Sequence, residues 1–91
     1  MRLKNKNAII TGSANGIGKA IADLFAKEGA NVIVADIEED AGLSTAENIN
    51  KESGNAKYIK VDTSDIASVQ NMVQSAITEY GEINILVNNA A

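Results

Sequence analysis

The stretch Ala8-Ile9-Ile10-Thr11-Gly12-Ser13-Ala14-Asn15-Gly16-Ile17-Gly18 constrains this chain more than any other. An apolar run passes through a loop holding three glycines into a segment with the spacing of an amphipathic helix. Asn7–Thr11, continuously apolar at its centre, reads as a strand covered on both faces. The helix after it begins with N–H groups that have no partner within the helix and with a partial positive charge. Glycine lets a ligand come close to that backbone, so a strand that turns into a helix at such a corner is a cradle for phosphate.

The same alternation repeats along the chain. Ile17, Ile21, Leu24 and Phe25 recur at offsets of 4, 7 and 8 with Lys19, Asp23, Lys27 and Glu28 opposite, and Gly29 suits the end of that helix. Val32–Ala35 predicts a second buried strand that stops at Asp36. A weaker helix follows from about Glu39 to Ser53, anchored by Ala46 and Ile49, with Gly42 inside it and Gly54 as its stop. Tyr58–Val61 predicts a third strand ending at Asp62. Ser64 is the expected N-cap of a third helix, with Asp65 in its first turn. Val69, Met72, Val73, Ala76, Ile77 and Tyr80 then fall at offsets of 3, 4, 7, 8 and 11, Gly81 closes the helix, and Ile83–Asn88 forms a fourth strand. Buried strands alternating with helices through short loops predict an α/β parallel sheet with right-handed crossovers.

Composition removes several kinds of function. Ninety-one residues fit one domain or part of one, and 45% apolar residues are too many for a disordered chain. Only three residues are aromatic, so the core falls to Ile, Val, Leu and Ala. The sequence has neither cysteine nor histidine, which excludes disulfides, thiol chemistry, His-ligated metals and Ser-His-Asp catalysis. A net charge of −4 argues against a nucleic-acid partner. The longest apolar runs, Val32–Ala35 and Ile85–Val87, are far too short to cross a membrane, and Met1-Arg2-Leu3-Lys4 lacks the apolar stretch of a signal peptide. The expectation is a cytoplasmic protein with no metal, nucleic-acid or membrane partner.

The loop departs from the common G-x-G-x-x-G spacing and reads Gly12-x-x-x-Gly16-x-Gly18. The physical roles still distribute: Gly12 for the turn out of the strand, Gly16 for the approach of pyrophosphate, Gly18 for close helix packing. A nucleotide triphosphatase loop fails, because Ser13 and Ala20 stand where glycine and a Mg²⁺-holding hydroxyl are needed. A receiver-like domain fails too, since it wants acids where this chain has Thr11-Gly12. Three glycines alone describe a tight loop equally well; Asp36 favours a dinucleotide. It ends the second strand 18 residues after Gly18, close to the ~20 expected for the acid that accepts from an adenosine ribose. A carboxylate there accepts the two ribose hydroxyls of NAD and repels the 2′-phosphate of NADP. No basic residue stands at Ala14, Asn15 or Ile37, so NAD is predicted over NADP. The site in turn implies the strand order 3-2-1-4, with the reversal beside the first strand.

With these residues in place, the chain resembles the short-chain dehydrogenase/reductase family. Thr11–Gly18 matches its TGxxxGIG loop, Asp36 the acid after strand two and Asp62 the acid after strand three. Asn88-Asn89-Ala90-Ala91 matches the NNAG-like end of strand four, with Ala91 departing where the family usually has glycine. The matches run in family order over essentially the whole chain. The resemblance implies a Rossmann-type doubly wound parallel sheet, truncated after the fourth strand, so that residues 1–91 form a single partial dinucleotide-binding domain. It implies cofactor contacts from Gly12, Ser13, Asn15, Gly16, Ile17 and Gly18 in the loop, with Ile17 near the pyrophosphate and nicotinamide. It further implies contacts from Asp36 and Ile37 after strand two, from Asp62 and Thr63 at the adenine, and from Asn88 and Ala90 along the adenosine ribose.

The resemblance also implies hydride transfer assisted by a Ser, an Asn and a Tyr-x-x-x-Lys pair lying past the NNAG motif. Neither tyrosine here substitutes: Tyr80-x-x-x-Asn84 lacks the lysine and sits on an apolar stripe, and Tyr58 has Asp62 four residues on. No residue is assigned a catalytic role. The chain therefore reads as the NAD-binding N-terminal half of a short-chain oxidoreductase acting on an alcohol or carbonyl, with a small-molecule substrate only in a longer chain. The alternative is a stand-alone nucleotide-binding module or pseudoenzyme with a regulatory or assembly role. A Ser and a Tyr-x-x-x-Lys beyond residue 91 discriminate the two. In the family a fifth strand pairs beside the fourth; without it, the apolar fourth strand is expected to drive self-association.

Overall fold

Apolar side chains alternate between the two faces of the central strands, and this sorts the core into two layers. The computed structural model describes residues 2–89. In chain order the elements are β1 (Asn7–Thr11), α1 (Gly16–Lys27), β2 (Asn31–Asp36), α2 (Glu39–Lys51), β3 (Asn55–Lys60), α3 (Ile66–Tyr80) and β4 (Ile85–Asn88). Ile10, Val32 and Val34 point to the face packed by Ala22 of α1 and by Ala46 and Ile49 of α2. Ile9, Ile33 and Ala35 point to the other face, against Met72 and Ala76 of α3. The four strands are parallel in the order β3-β2-β1-β4, the order that the nucleotide-site argument required.

Several features differ from expectation for physical reasons. Helix α1 does not bury the stripe Ile17, Ile21, Leu24, Phe25: Ile17 is 74% exposed and Leu24 56%. Its inward side is built on the small residues Gly18 and Ala22, with Ile21, Phe25 and Ala26 packed at the margin. Strand β3 starts at Asn55, three residues before the predicted start at Tyr58, and ends at Lys60. It is an outer strand, so Asn55 and Lys57 stay wet and hide the apolar pattern, yet both pair in register with β2. Asp65, not Ser64, caps α3, its carboxylate accepting the Ala67 N–H at 3.0 Å. Strand β4 begins at Ile85; Ile83 packs below the sheet and Asn84 turns its side chain to β1.

Side-chain amides close the amino ends of the strands. Asn7 Nδ2 donates to the carbonyls of Glu82 (2.9 Å) and Tyr80 (3.3 Å), and Asn7 Oδ1 accepts from Asn31 Nδ2 at 2.8 Å. Asn84 Oδ1 accepts the Asn7 N–H at 2.7 Å. One asparagine thereby joins β1, β2 and the turn between α3 and β4, and buried polar groups of this sort need such partners.

Gly42 lies inside α2, where glycine is normally a cost. A Cβ on it would enter the ring of Tyr58, and that ring is pinned because Tyr58 Oη donates to the Asp36 carbonyl at 2.7 Å. Gly42→Ala is therefore expected to destabilise the protein by roughly 1–3 kcal/mol, overpacking outweighing the ~1 kcal/mol of helix propensity gained; urea denaturation measures it. Tyr80 packs at the edge of the α3 layer, and its hydroxyl donates to Asn55 Oδ1 at 3.2 Å. Burial, then the charge of Glu79, push its hydroxyl from an ordinary 10.0 up to about 12. The neutral phenol is the form that folding favours, so this contribution is complete below pH 10 and is lost as pH rises from 10 towards 12. Tyr80→Phe is expected to flatten that alkaline loss of stability and to abolish the latest tyrosinate absorbance step in a spectrophotometric titration.

Candidate dinucleotide site

The carboxyl ends of β1, β2 and β4 meet at one edge, where Thr11 is in register with Ala35 on one side and Asn88 on the other. The chain leaves β1 through Gly12 at φ +66° and enters α1 through Gly16 at φ +61°. Among the described residues, no atom beyond its chain neighbours and its own helix backbone stands within 4 Å of where a Cβ on Gly16 would lie, so the space before it is open and only the backbone conformation demands glycine. Gly18 is the reverse case: a Cβ there would enter the Gly12 carbonyl and crowd the Asn89 amide. These are the two properties a phosphate cradle needs, an open approach and a helix seated tightly behind it.

Residues from three other elements fix the loop. Ser13 is buried, its hydroxyl donating to the Ile10 carbonyl at 2.7 Å and accepting the Ala35 N–H at 3.2 Å. Its side chain is consumed in joining β1 to β2, and its N–H also donates to the Ala35 carbonyl, at 3.4 Å. Asp36 Oδ2 accepts the Ala14 N–H at 3.0 Å, while Oδ1 accepts the Glu38 N–H at 3.0 Å. The Ala14 carbonyl accepts from Thr45 Oγ1 on α2 at 3.0 Å. Asn89 donates from Nδ2 to the Gly12 carbonyl at 3.3 Å, and its N–H reaches Thr11 Oγ1 at 3.0 Å.

The three helix starts differ in charge and capping. Helix α2 has Glu39 and Asp40 in its first turn, and α3 has the Asp65 cap. Helix α1 has no acid in its first turn, and its N-cap Asn15 makes no side-chain capping hydrogen bond. Its first turn thus carries no acid of its own, which suits an external anion. Ile17 is exposed in the first turn, and Ile37 is exposed just past Asp36. The open helix start and the strand-end carboxylate are the donor and acceptor types that a nicotinamide dinucleotide requires.

The remaining expected contacts lie at the same edge. The Val61 N–H donates to the Asp36 carbonyl at 3.1 Å, which brings Asp62 and Thr63 next to the end of β2. Asp62 Oδ1 accepts from Ser64 Oγ at 2.6 Å and from its N–H at 3.0 Å, and these bonds hold the carboxyl below its ordinary 3.8. Ser64 is spent on this turn rather than on a cap. Asn88 is exposed, with Oδ1 3.3 Å from Thr11 Oγ1. Ala90 lies outside the described residues, as does Ala91. Sequence reasoning passed over Thr45, Tyr58 and Asn89 as shapers of this edge. The one signal was a small polar residue at the buried position next to Ala46.

Neither tyrosine is tuned for proton transfer near neutral pH. Burial raises the Tyr58 hydroxyl, with Glu39 and Asp36 adding to it, and Tyr80 is raised further; a general acid or base needs the opposite. Among the described residues no cluster of acids could hold a metal ion, and no helix is long and apolar enough to cross a membrane. A groove of about 330 Å³ between β3 and α3 is spanned by the Lys57–Glu79 ion pair at 3.1 Å and shares none of the loop residues.

Comparison with known proteins agrees with this geometry. The chain is 43% identical over 89 residues to an uncharacterized oxidoreductase of Thermotoga maritima, covering 98% of this chain and 35% of that one. It is 47% identical over 91 residues to galactitol 2-dehydrogenase of Agrobacterium fabrum, covering 100% of this chain and 34% of that one. The crystal structure of a hydroxysteroid dehydrogenase from Escherichia coli superposes with a TM-score of 0.97 at 41% identity, covering 99% of this chain and 38% of that one. The chain thus spans about a third of the length of these relatives. A family model described as short chain dehydrogenase matches residues 6–91. On that match, and on a loop, sheet order and strand-end acid that agree with it, the chain belongs to the short-chain dehydrogenase family.

Proposed function

We propose that this chain binds NAD in preference to NADP and forms the dinucleotide-binding part of an oxidoreductase that moves a hydride between NAD(H) and an alcohol or carbonyl. The observation that carries the reading is the Asp36 carboxylate, held by the Ala14 and Glu38 N–H groups at the mouth of an α1 N-terminus without acids. Each carboxylate oxygen accepts one backbone N–H there and keeps acceptor capacity for a ribose hydroxyl. Gly12, Ser13, Asn15, Gly16, Ile17 and Gly18 would line the pyrophosphate through backbone and apolar surface. Ile37, Asp62 and Thr63 would border the adenine, and Asn88 and Ala90 the adjoining ribose. The cofactor would supply the hydride chemistry; neither tyrosine has the acid–base character to assist it. The two named relatives, one a galactitol and one a hydroxysteroid dehydrogenase, share only alcohol–carbonyl chemistry, so the proposal stops at that class. A cytoplasmic location goes with this reading and is supported by the absence of cysteine.

Fluorescence titration with NADH and NADPH tests the cofactor. Like charges about 4 Å apart repel by ~1 kcal/mol in water and ~4 kcal/mol near a protein surface, so NADH is expected to bind on the order of ten-fold or more tightly. Tighter NADPH binding overturns the preference, and binding of neither overturns the dinucleotide reading. The proposal extends to association through β4, which pairs only with β1 among the described residues and leaves Leu86 60% exposed. Light scattering at micromolar concentration is expected to report dimers or larger species; a monomer refutes this part alone.

A further inference from the structure

We infer that Thr45, on the buried face of α2, is a positioning residue for the phosphate loop, an inference that rests on the dinucleotide reading above. Thr45 is 2% exposed, and its hydroxyl donates to the Ala14 carbonyl at 3.0 Å. A threonine inside a helix commonly turns its hydroxyl to a carbonyl of its own preceding turn. This one crosses 31 residues of sequence to a different segment. Ala14 is itself 2% exposed, and its N–H donates to Asp36 Oδ2 at 3.0 Å. Both polar atoms of one loop residue are therefore held by side chains, one from the end of β2 and one from α2.

Planarity makes these two bonds matter beyond Ala14. The Ala14 carbonyl and the Asn15 N–H belong to one trans peptide and point in opposite directions. A hydroxyl that draws the carbonyl towards α2 thereby turns the Asn15 N–H away from α2. Asn15 is the N-cap of α1, and Gly16 follows at φ +61° with open space before it. The Asn15 N–H, the last before α1, thus takes its direction from a peptide plane that Thr45 holds. Without the hydroxyl, the Ala14 carbonyl becomes a buried acceptor lacking its partner. The loop relieves that by rotating the peptide towards water, and the rotation carries Asn15 and Gly16 away from the geometry that receives an anion.

The test compares Thr45→Val, Thr45→Ser and the control Ile49→Val, which trims a buried core residue one turn along the same helix. NADH fluorescence titration measures binding, and amide hydrogen exchange of the ligand-free protein measures the loop. Thr45→Val is expected to weaken NADH about five-fold, the effect of one hydrogen bond of ordinary net strength, and to speed exchange at Asn15 and Gly16. Thr45→Ser, which keeps the donor, is expected to restore both. Ile49→Val is expected to lower the thermal midpoint and change neither. Thr45→Ala replaces Thr45→Val if the valine variant does not fold. Wild-type affinity and loop exchange in Thr45→Val, failure of the serine to rescue, or equal weakening by Ile49→Val would each overturn the positioning role alone. Failure of the wild-type protein to bind NADH or NADPH overturns the dinucleotide reading and this role together.

Discussion

Helix α1 rests against the Gly12 carbonyl with nothing between them, and the rest of the site depends on that contact. Any side chain at residue 18 would enter the carbonyl and the Asn89 amide beside it. The demand for smallness continues down the helix. Ala22 is buried against Ile10, Val32 and Val34, and Ala26 packs at the same layer, so α1 lies low on the sheet and its first turn falls level with the strand ends. A helix seated on large side chains would stand farther out and carry its N-terminus away from Asp36. The close seat turns a generic helix start into one placed beside an acid.

Asp36 has two duties that cannot be separated by substitution. Under the proposed function its carboxylate would accept the ribose hydroxyls of a dinucleotide, and the same group accepts the Ala14 N–H. Tyr58 holds its carbonyl, and the Val61 N–H holds it too. The residue that would choose between cofactors is thereby part of the frame that shapes the phosphate loop. Changing it for specificity would also free a loop N–H, which has its own cost.

Much of the fold was legible because strands buried on both faces advertise themselves. Asn7–Thr11 matches the predicted strand residue for residue, and Ala46 and Ile49 anchor α2 as their spacing implied. Outer strand β3 was read short because only one of its first three residues, Ala56, is buried. In α1, periodicity located the helix but rotated its inner face, since hydrophobicity favours Ile17 and Leu24 while packing demanded Gly18 and Ala22. Ser64 and Asp65 exchanged roles because both can cap a helix, and the neighbouring Asp62 claimed the serine. Asp36 was legible from its distance to the loop. Thr45 was not, because its partner lies on another element and spacing along one chain does not encode such a meeting.

The two ends of the sheet are fastened by different chemistry. At the amino ends the bonds run between asparagine amides and carbonyls, groups that neither gain nor lose a proton. At the carboxyl ends the turns are tied by the carboxylates of Asp36 and Asp62 together with the hydroxyls of Ser13 and Thr45. Acid strong enough to protonate Asp62, below its ordinary 3.8, therefore slackens the turn after β3 and leaves the opposite edge closed. The two edges thus differ in what can loosen them, a division set by amides alone at one end and an acid-bound turn at the other.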